Sequence, residues 1–120
     1  MAMKLTALPL FDGCCTPVMD GALSDDEAEG LAAAFKVVAD PARLRLLSLI
    51  ASQPGGEACV CDLVGPVGLS QPTVSHHLKV LHDSGMLGRE RRGTWVFYKV
   101  IPARLEALRG ALAAPSSLPV

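Results

Sequence analysis

Four cysteines occur in two pairs, Cys14-Cys15 near the start of the chain and Cys59-Val60-Cys61 in its middle. Thiolates are soft ligands, and they prefer arsenite, antimonite, cadmium, lead, zinc and copper(I) to hard cations. The second pair lies directly before a stretch whose residue types are suited to reading DNA. This placement indicates that a soft metal or metalloid is sensed and that its binding is communicated to DNA.

The size and composition indicate a single small domain. Half of the 120 residues are hydrophobic but only 4% are aromatic, which favours an aliphatic, mainly helical core. No apolar run approaches the roughly 20 residues that span a bilayer, and no export cleavage site is clear. We therefore expect a cytoplasmic protein with no membrane partner. In that compartment thiols stay reduced, so metal binding or redox chemistry is expected in place of structural disulfides.

The net charge of −1 conceals a marked asymmetry along the chain. Residues 1–35 carry one basic and six acidic side chains, whereas residues 36–120 carry ten basic and six acidic ones. Such a distribution is compatible with one nucleic-acid-binding face, although an ordinary solvated surface would also produce it.

Local patterns predict three helices in the first half of the domain. The first covers about 25–39, because Ser24-Asp-Asp-Glu27 is a capping box and apolar residues follow at helical spacing. The second begins at Asp40-Pro41, where Asp caps and Pro fits the first turn, and it runs to about residue 52. A short third helix is predicted over about 58–64, ending at Gly65-Pro66.

The second half predicts a helix, a hairpin and a last helix. Ser70 caps the fourth helix. Two short strands, Leu87–Arg91 and Thr94–Val100, flank a turn at Arg92-Gly93. Pro102 begins the last helix.

The predicted fold class is mainly α with a small β-hairpin, a winged helix–turn–helix with one extra helix at each end. We expect a flexible arm over residues 1–23 that carries Cys14 and Cys15, the folded domain over 24–113, and a disordered tail over 114–120. The terminal helices carry apolar stripes that a second copy would bury, so a homodimer through these helices is expected.

The start of the fourth helix and the tip of the hairpin have the composition of a DNA-reading surface. Short polar groups near the N-terminus of a recognition helix reach base edges in the major groove, and basic residues on a wing reach the backbone or the minor groove. Gln suits adenine, Ser, Thr and His suit bases or phosphates, and Lys suits a phosphate. The predicted DNA contacts are Ser70, Gln71, Thr73, Ser75, His76, Lys79, Arg91 and Arg92.

The chain resembles the ArsR/SmtB family of metal-responsive repressors. The resemblance is carried by Asp40-Pro-Ala-Arg-Leu-Arg-Leu-Leu47, Cys59-Val-Cys-Asp-Leu63 and Leu69-Ser-Gln-Pro-Thr-Val-Ser-His-His-Leu-Lys79, and it spans about residues 24–112. It implies a winged-helix homodimer that binds operator DNA when metal-free. It also implies that the homodimer releases the operator when its inducer binds, which derepresses an efflux or detoxification gene.

In this family the Cys59–Leu63 segment corresponds to the place where arsenite, or cadmium and lead, are sensed, and some relatives add cysteines from the arm. Some arsenic sensors have a further cysteine where this chain has Val64. Our hypothesis is therefore a trigonal arsenic(III) site made by Cys14, Cys15 and one of Cys59 or Cys61. The alternative is a four-thiolate cadmium(II) or lead(II) site that uses all four cysteines.

The predicted helix over 58–64 places a condition on either site. Residues two apart on a regular helix point about 200° away from each other. Cys59 and Cys61 can then chelate one ion only if the start of the helix unwinds. This requirement indicates a mechanism in which binding distorts the short helix, pulls the arm across and reorients the recognition helices.

Other functions are less well supported by the sequence. A thiol-based redox regulator is possible, but no basic residue lies beside either pair to lower a thiol pKa. The last helix has no His and one acid, Glu106, so the interfacial zinc or nickel site of other relatives is absent. An enzyme is disfavoured because there is no Cys-X-X-Cys, no Gly-rich phosphate loop and no strand–helix–strand alternation. A metal-storage module would not need the DNA-reading elements.

Overall fold

The computed structural model describes residues 16–114. Within this range the chain forms five α-helices and three strands in the order α1 (Asp25–Val38), α2 (Pro41–Ala51), β1 (Glu57–Cys59), α3 (Val64–Val67), α4 (Gln71–Asp83), β2 (Leu87–Arg92), β3 (Trp95–Val100) and α5 (Pro102–Ala111). Single turns of 3-10 helix lie on either side of β1, at Pro54–Gly56 and Val60–Asp62. No helix in the described part of the chain has the length and apolar character needed to cross a membrane.

Local caps start the first two helices where the sequence predicts. The Ser24 hydroxyl accepts from the Glu27 backbone N–H at 3.1 Å, and the Glu27 carboxylate accepts from the Ser24 N–H at 2.8 Å. The capping box is thus complete. The Asp40 carboxylate accepts from two backbone N–H groups at the start of α2, at 2.9 and 3.2 Å. Each cap satisfies N–H groups that have no partner inside the helix.

The prediction of one short helix over 58–64 was wrong. Residues Glu57–Cys59 form strand β1, which pairs antiparallel with β3 so that Cys59 lies opposite Phe97. A 3-10 turn follows, and α3 begins only at Val64 and continues through Gly65-Pro66. Pro66 is tolerated because it lies in the first turn of α3, where a backbone N–H would have no helical partner.

The three strands form one antiparallel sheet in the order β1-β3-β2. The hairpin between β2 and β3 closes at Arg92 opposite Trp95, so its turn residues are Gly93 and Thr94, one position later than predicted. Gly93 has φ +64°, a conformation that glycine adopts without steric cost. The hairpin is the wing of the fold.

The core lies between the helices and one face of the sheet. Its fully buried side chains come from α2, α4, Leu63 and the start of the wing, with Ala34 and Ala111 from the terminal helices. The inward residues of α4 are buried as predicted, namely Val74, Leu78 and Leu81. This packing fixes α4 and the wing relative to each other, and those two elements frame the candidate site.

Candidate thiol site and nucleic-acid interface

Helix α4 presents its polar face outward while its apolar face is fixed in the core. Ser70 caps the helix: its hydroxyl accepts from the Thr73 N–H at 3.4 Å and donates to the Thr73 hydroxyl at 2.9 Å. Gln71, Thr73 and His76 are exposed, and Ser75 is half-buried. The residues predicted to read DNA on α4 therefore lie on its accessible side.

Two charged side chains of this region have partners within the fold. Lys79 donates to Asp83 at 2.7 Å, one helical turn away, and this bond lowers the pKa of the Asp83 carboxyl. Arg43 of α2 lies 3.1 Å from Nδ1 of His77 and donates to the Val37 carbonyl at 2.6 Å. Arg43 thus joins α4 to the first two helices, a role that the sequence does not reveal because the partners are far apart along the chain.

A groove of about 580 Å³ separates the first turns of α4 from the wing. Its walls are Gln71 and Ser75 of α4, the wing residues Arg89, Arg91, Thr94, Trp95, Val96 and Tyr98, and the segment Cys59–Cys61. The groove therefore combines polar groups of the recognition helix, two guanidinium groups and both central cysteines.

Strand alternation explains which arginines enter this groove. Arg89 pairs with Tyr98 and Arg91 with Val96, so these side chains share the sheet face that turns toward α4. Arg92 lies on the opposite face. Arg89 is absent from the predicted contacts, although its position two residues before Arg91 on the same strand would have identified it.

The two central thiols are adjacent. The Cys61 sulfur lies 2.8 Å from the Cys59 sulfur, and the Cys61 backbone N–H donates to Cys59 Sγ at 3.4 Å. Cys59 ends a strand with φ −79° and ψ 149°, so its side chain folds over the following 3-10 turn. The expectation that a helix must unwind before both cysteines can chelate one ion is therefore wrong, because Cys59 is not on a helix.

The two sulfurs are near enough to bind one ion after the pair opens. Two thiolates bound tetrahedrally at about 2.3 Å from zinc would lie about 3.8 Å apart, so the 2.8 Å separation must widen by about 1 Å. Cys59 is buried and Cys61 is exposed, which leaves one thiol accessible from the groove. The pair can act as a bidentate soft ligand.

The protonation state of Cys61 determines whether the pair can bind an ion. The hydrogen bond with Cys59, burial, and the charges of Cys59 and Asp62 together raise the pKa of Cys61 to about 11. Cys61 is therefore a thiol at neutral pH, and an ion that binds must displace its proton. The groove does bring Arg89 and Arg91 near the pair, which the sequence did not show, but the raised pKa keeps Cys61 in its less reactive form.

Asp62 Oδ1 lies 3.9 Å from Cys61 Sγ, but the described residues contain no third thiol. Between residues 16 and 114, no cluster of three or more His, Cys, Asp or Glu side chains could hold a metal ion. The predicted ligands Cys14 and Cys15 lie outside the described residues. Any site with three or four thiolates must draw on them or on a second copy of the chain.

Arg92 differs from its neighbour Arg91 in its surroundings. It donates to Glu57 at 2.7 and 2.8 Å and to Glu90 at 2.7 and 3.1 Å, and its guanidinium carbon lies 4.4 Å from the centre of the Phe97 ring. The bonds from Arg92 lower the pKa of Glu57, and those carboxylates raise the pKa of Arg92. The predicted DNA contact at Arg92 is untested, and these partners argue against it because they already bind its guanidinium.

Helix–turn–helix and wing together define a winged helix–turn–helix DNA-binding protein. The family model described as "Bacterial regulatory protein, arsR family" matches residues 40–88, which run from the cap of α2 into the wing. An uncharacterised HTH-type transcriptional regulator of Methanocaldococcus jannaschii is 36% identical over 83 residues, covering 69% of this chain and 91% of that protein. The chain belongs to the arsR family of transcriptional regulators, which bind DNA and are not enzymes.

Repressors whose names refer to arsenic or antimony are also similar. The arsenical resistance operon repressor of Escherichia coli is 43% identical over 68 residues, covering 57% of this chain and 56% of that protein. The chain thus matches little more than half the length of that repressor. The crystal structure of the AntR antimony-specific transcriptional repressor is 36% identical with a TM-score of 0.62, covering 75% of this chain and 81% of that chain.

Proposed function

We propose that this protein is a homodimeric repressor that releases its operator when arsenite, or antimonite, binds its cysteine thiolates, and so derepresses resistance genes. The observation that carries the proposal is the pair of thiol sulfurs 2.8 Å apart, which opens onto the groove between α4 and the wing. The names of the similar repressors support a metalloid inducer.

The DNA surface in this proposal consists of α4 and the inner face of the wing. Gln71 has the amide geometry that pairs with adenine, and Ser70, Thr73, Ser75 and His76 offer hydrogen bonds to bases or phosphates. Lys79 reaches a phosphate if it leaves Asp83, an exposed ion pair that costs little to break. Arg91, with Arg89 beside it, faces α4 across the groove and would hold the phosphate backbone.

The inducer site in this proposal takes Cys14, Cys15 and one of Cys59 or Cys61. The adjacent arm thiols and the close central pair both suit a small pyramidal arsenic(III) centre. The alternative is a cadmium(II) or lead(II) site with all four thiolates, which requires the central sulfurs, 2.8 Å apart, to separate by about 1 Å. Where Cys61 is a ligand, its proton leaves on binding. An arsenic(III) centre with three thiolates carries no net charge, whereas a cadmium(II) or lead(II) centre with four thiolates is anionic and would lie in the groove that Arg89 and Arg91 also line.

The homodimer in this proposal forms through the terminal helices. Val18 donates its backbone N–H to the Ala111 carbonyl at 2.9 Å, which places the chain before α1 against the end of α5. Val18, Met19 and Leu112 are 41%, 48% and 59% exposed there. These apolar side chains would be buried by a second copy, which would also add to the small core of a domain this size.

The test is a titration of the reduced protein on fluorescent DNA that carries its own promoter, with arsenite and separately with cadmium(II). Release at about one equivalent of arsenite per protomer, lost in Cys14→Ser or Cys15→Ser, is expected from the proposal. Release by cadmium(II) alone, with a thiolate-to-metal ultraviolet band that scales to four sulfurs, would favour the alternative. Absence of specific DNA binding would refute the repressor.

A further inference from the structure

The strand that carries Cys59 is tied to the wing by an ion pair whose partners are 35 residues apart. Glu57 lies two residues before Cys59 and accepts from Arg92 Nη1 at 2.8 Å and from Nη2 at 2.7 Å. These two bonds form the bidentate arrangement of a guanidinium with a carboxylate, which fixes orientation as well as distance. The thiol segment and the wing are therefore joined by a directional contact.

This contact crosses the whole sheet. Among the strands of residues 16–114, β1 is hydrogen-bonded to β3 alone, and Arg92 lies on β2, beyond β3. Without the pair, β1 would be a three-residue edge strand held on one side. The pair connects it directly to the last residue of β2, next to the wing turn.

Arg92 is held from three directions. Besides Glu57, it donates to Glu90 on its own strand, and it lies over the ring of Phe97. Phe97 is also the residue opposite Cys59 in the sheet. Four of the five guanidinium N–H groups of Arg92 donate to the carboxylates of Glu57 and Glu90. The guanidinium is therefore bound on the sheet face away from α4.

We infer that Glu57 and Arg92 are positioning residues that couple the Cys59–Cys61 thiols to the wing, which makes β1 and the hairpin tip move as one unit. When inducer binding displaces Cys59, strand β1 moves Glu57, and Glu57 moves Arg92. Arg92 in turn moves the neighbouring Arg91, which lines the groove between α4 and the wing. The inference rests on the proposed function, because it assigns the route by which the inducer site changes DNA affinity.

Glu57→Gln and Glu90→Gln form a matched pair for the test. Each removes one carboxylate that lies 2.7 Å from Arg92, and each changes the net charge equally. Only Glu57 is on β1, whereas Glu90 and Arg92 share strand β2. If the ion pair between β1 and Arg92 carries the coupling between arsenite and DNA binding, that coupling will fall in Glu57→Gln but not in Glu90→Gln.

The measured quantity is the coupling ratio, the Kd for promoter DNA with saturating arsenite divided by the Kd without it. We expect Glu57→Gln to lower this ratio by about threefold to fivefold, the upper part of the range for one exposed ion pair because this pair is bidentate, and Glu90→Gln to change it by less than about twofold. Arsenite stoichiometry should stay that of the wild type. It can be followed by the fluorescence of Trp95, the single tryptophan of the chain, which lines the same groove as both cysteines.

Equal coupling ratios in Glu57→Gln, Glu90→Gln and the wild type would overturn the inference while leaving the proposed function standing. An equal fall in both variants would also overturn it, because general loss of charge would then be the cause. If arsenite does not release the wild type, the proposed function fails and the inference fails with it.

A second variant covers the case in which Glu57→Gln does not fold. Glu57→Asp keeps the charge but shortens the reach to Arg92, so we expect a folded protein with an intermediate coupling ratio. A double-mutant cycle combines Glu57→Gln with Arg92→Gln. The double variant should have the same coupling ratio as Arg92→Gln alone, because both changes remove the same contact. Additive losses would contradict the shared route.

Discussion

Arg91 and Arg92 are consecutive arginines at the wing tip, and the structure predicts different roles for them in DNA binding. Arg91 faces the groove beside α4, and its guanidinium makes no hydrogen bond or ion pair with any residue in the described range 16–114. Arg92 faces the other way and is bound by two carboxylates. We expect Arg91→Ala to lose a phosphate contact and Arg92→Ala to lose none.

The size of the effect follows from counterion release. Each phosphate contact contributes about 0.9 to the slope of log affinity against log salt, so a homodimer that loses Arg91 twice should lose about 1.8 from the slope. Between about 50 and 200 mM salt, the affinity of Arg91→Ala should then fall about twelvefold less than that of the wild type. Arg92→Ala should keep the wild-type slope to within about 0.3.

The assay is fluorescence anisotropy of a labelled promoter duplex at four or five salt concentrations. The two variants control for each other, because each removes one positive charge one residue apart, so screened long-range attraction changes equally. Circular dichroism melts confirm that both fold. Equal slopes for both variants, or a larger loss in Arg92→Ala, would refute the assignment of Arg91 to the DNA backbone and of Arg92 to its ion pairs with Glu57 and Glu90.

Three further predictions concern stability and thiol chemistry. Leu46→Ala removes a fully buried side chain of α2 and should lower the free energy of unfolding by about 2–5 kcal/mol. Leu44 is 53% exposed on the same helix, so Leu44→Ala should lower it by less than about 1 kcal/mol. Equal losses for the two variants in urea denaturation would contradict this packing. Cys61, with its pKa raised from 9.0 to about 11, should hold about 100-fold less thiolate at pH 8 than an ordinary thiol and alkylate correspondingly slowly in a Cys14→Ser/Cys15→Ser background. Cys59→Ala removes the main cause of that shift and should speed the reaction, as read by mass spectrometry; an unchanged rate would be evidence against the thiol pair. The pKa values of Glu27 and Asp40 are lowered in the fold, chiefly by backbone hydrogen bonds from Ser24 and Arg43, so their stabilising effect is present above their ordinary values of 4.5 and 3.8 and is lost as pH falls through the folded values. Thermal melts should therefore show a midpoint that declines below about pH 4.5 and declines less steeply in Asp40→Asn, and a midpoint that rises on acidification would be inconsistent with this linkage.

Features that depend on near neighbours were predictable from the sequence. Ser24, Asp40 and Ser70 cap helices through hydrogen bonds to residues two or three positions away, and the apolar residues of α4 repeat within one or two turns. Such contacts close within a few residues and are therefore visible as short patterns. Helices α1, α2, α4 and α5 and the hairpin were predicted for this reason, and the motifs around them carried the resemblance that the family match confirms.

The geometry of the thiol pair was decided by the tertiary structure. Strand β1 has three residues, too few for a recognisable pattern, and it exists because β3, about 40 residues later, supplies its hydrogen bonds. That pairing takes Cys59 out of the predicted helix and brings its sulfur to 2.8 Å from that of Cys61.

The different surroundings of Arg91 and Arg92 also depend on strands that are distant in the sequence. Sequence by itself determined that Arg91 and Arg92 lie at a hairpin tip. Only the fold decided that Arg91 shares a groove with Gln71 and Ser75, whereas Arg92 meets Glu57. The physical reason is that a hydrogen-bonded strand register sends consecutive side chains to opposite faces, and what lies on each face is set by residues remote in the chain.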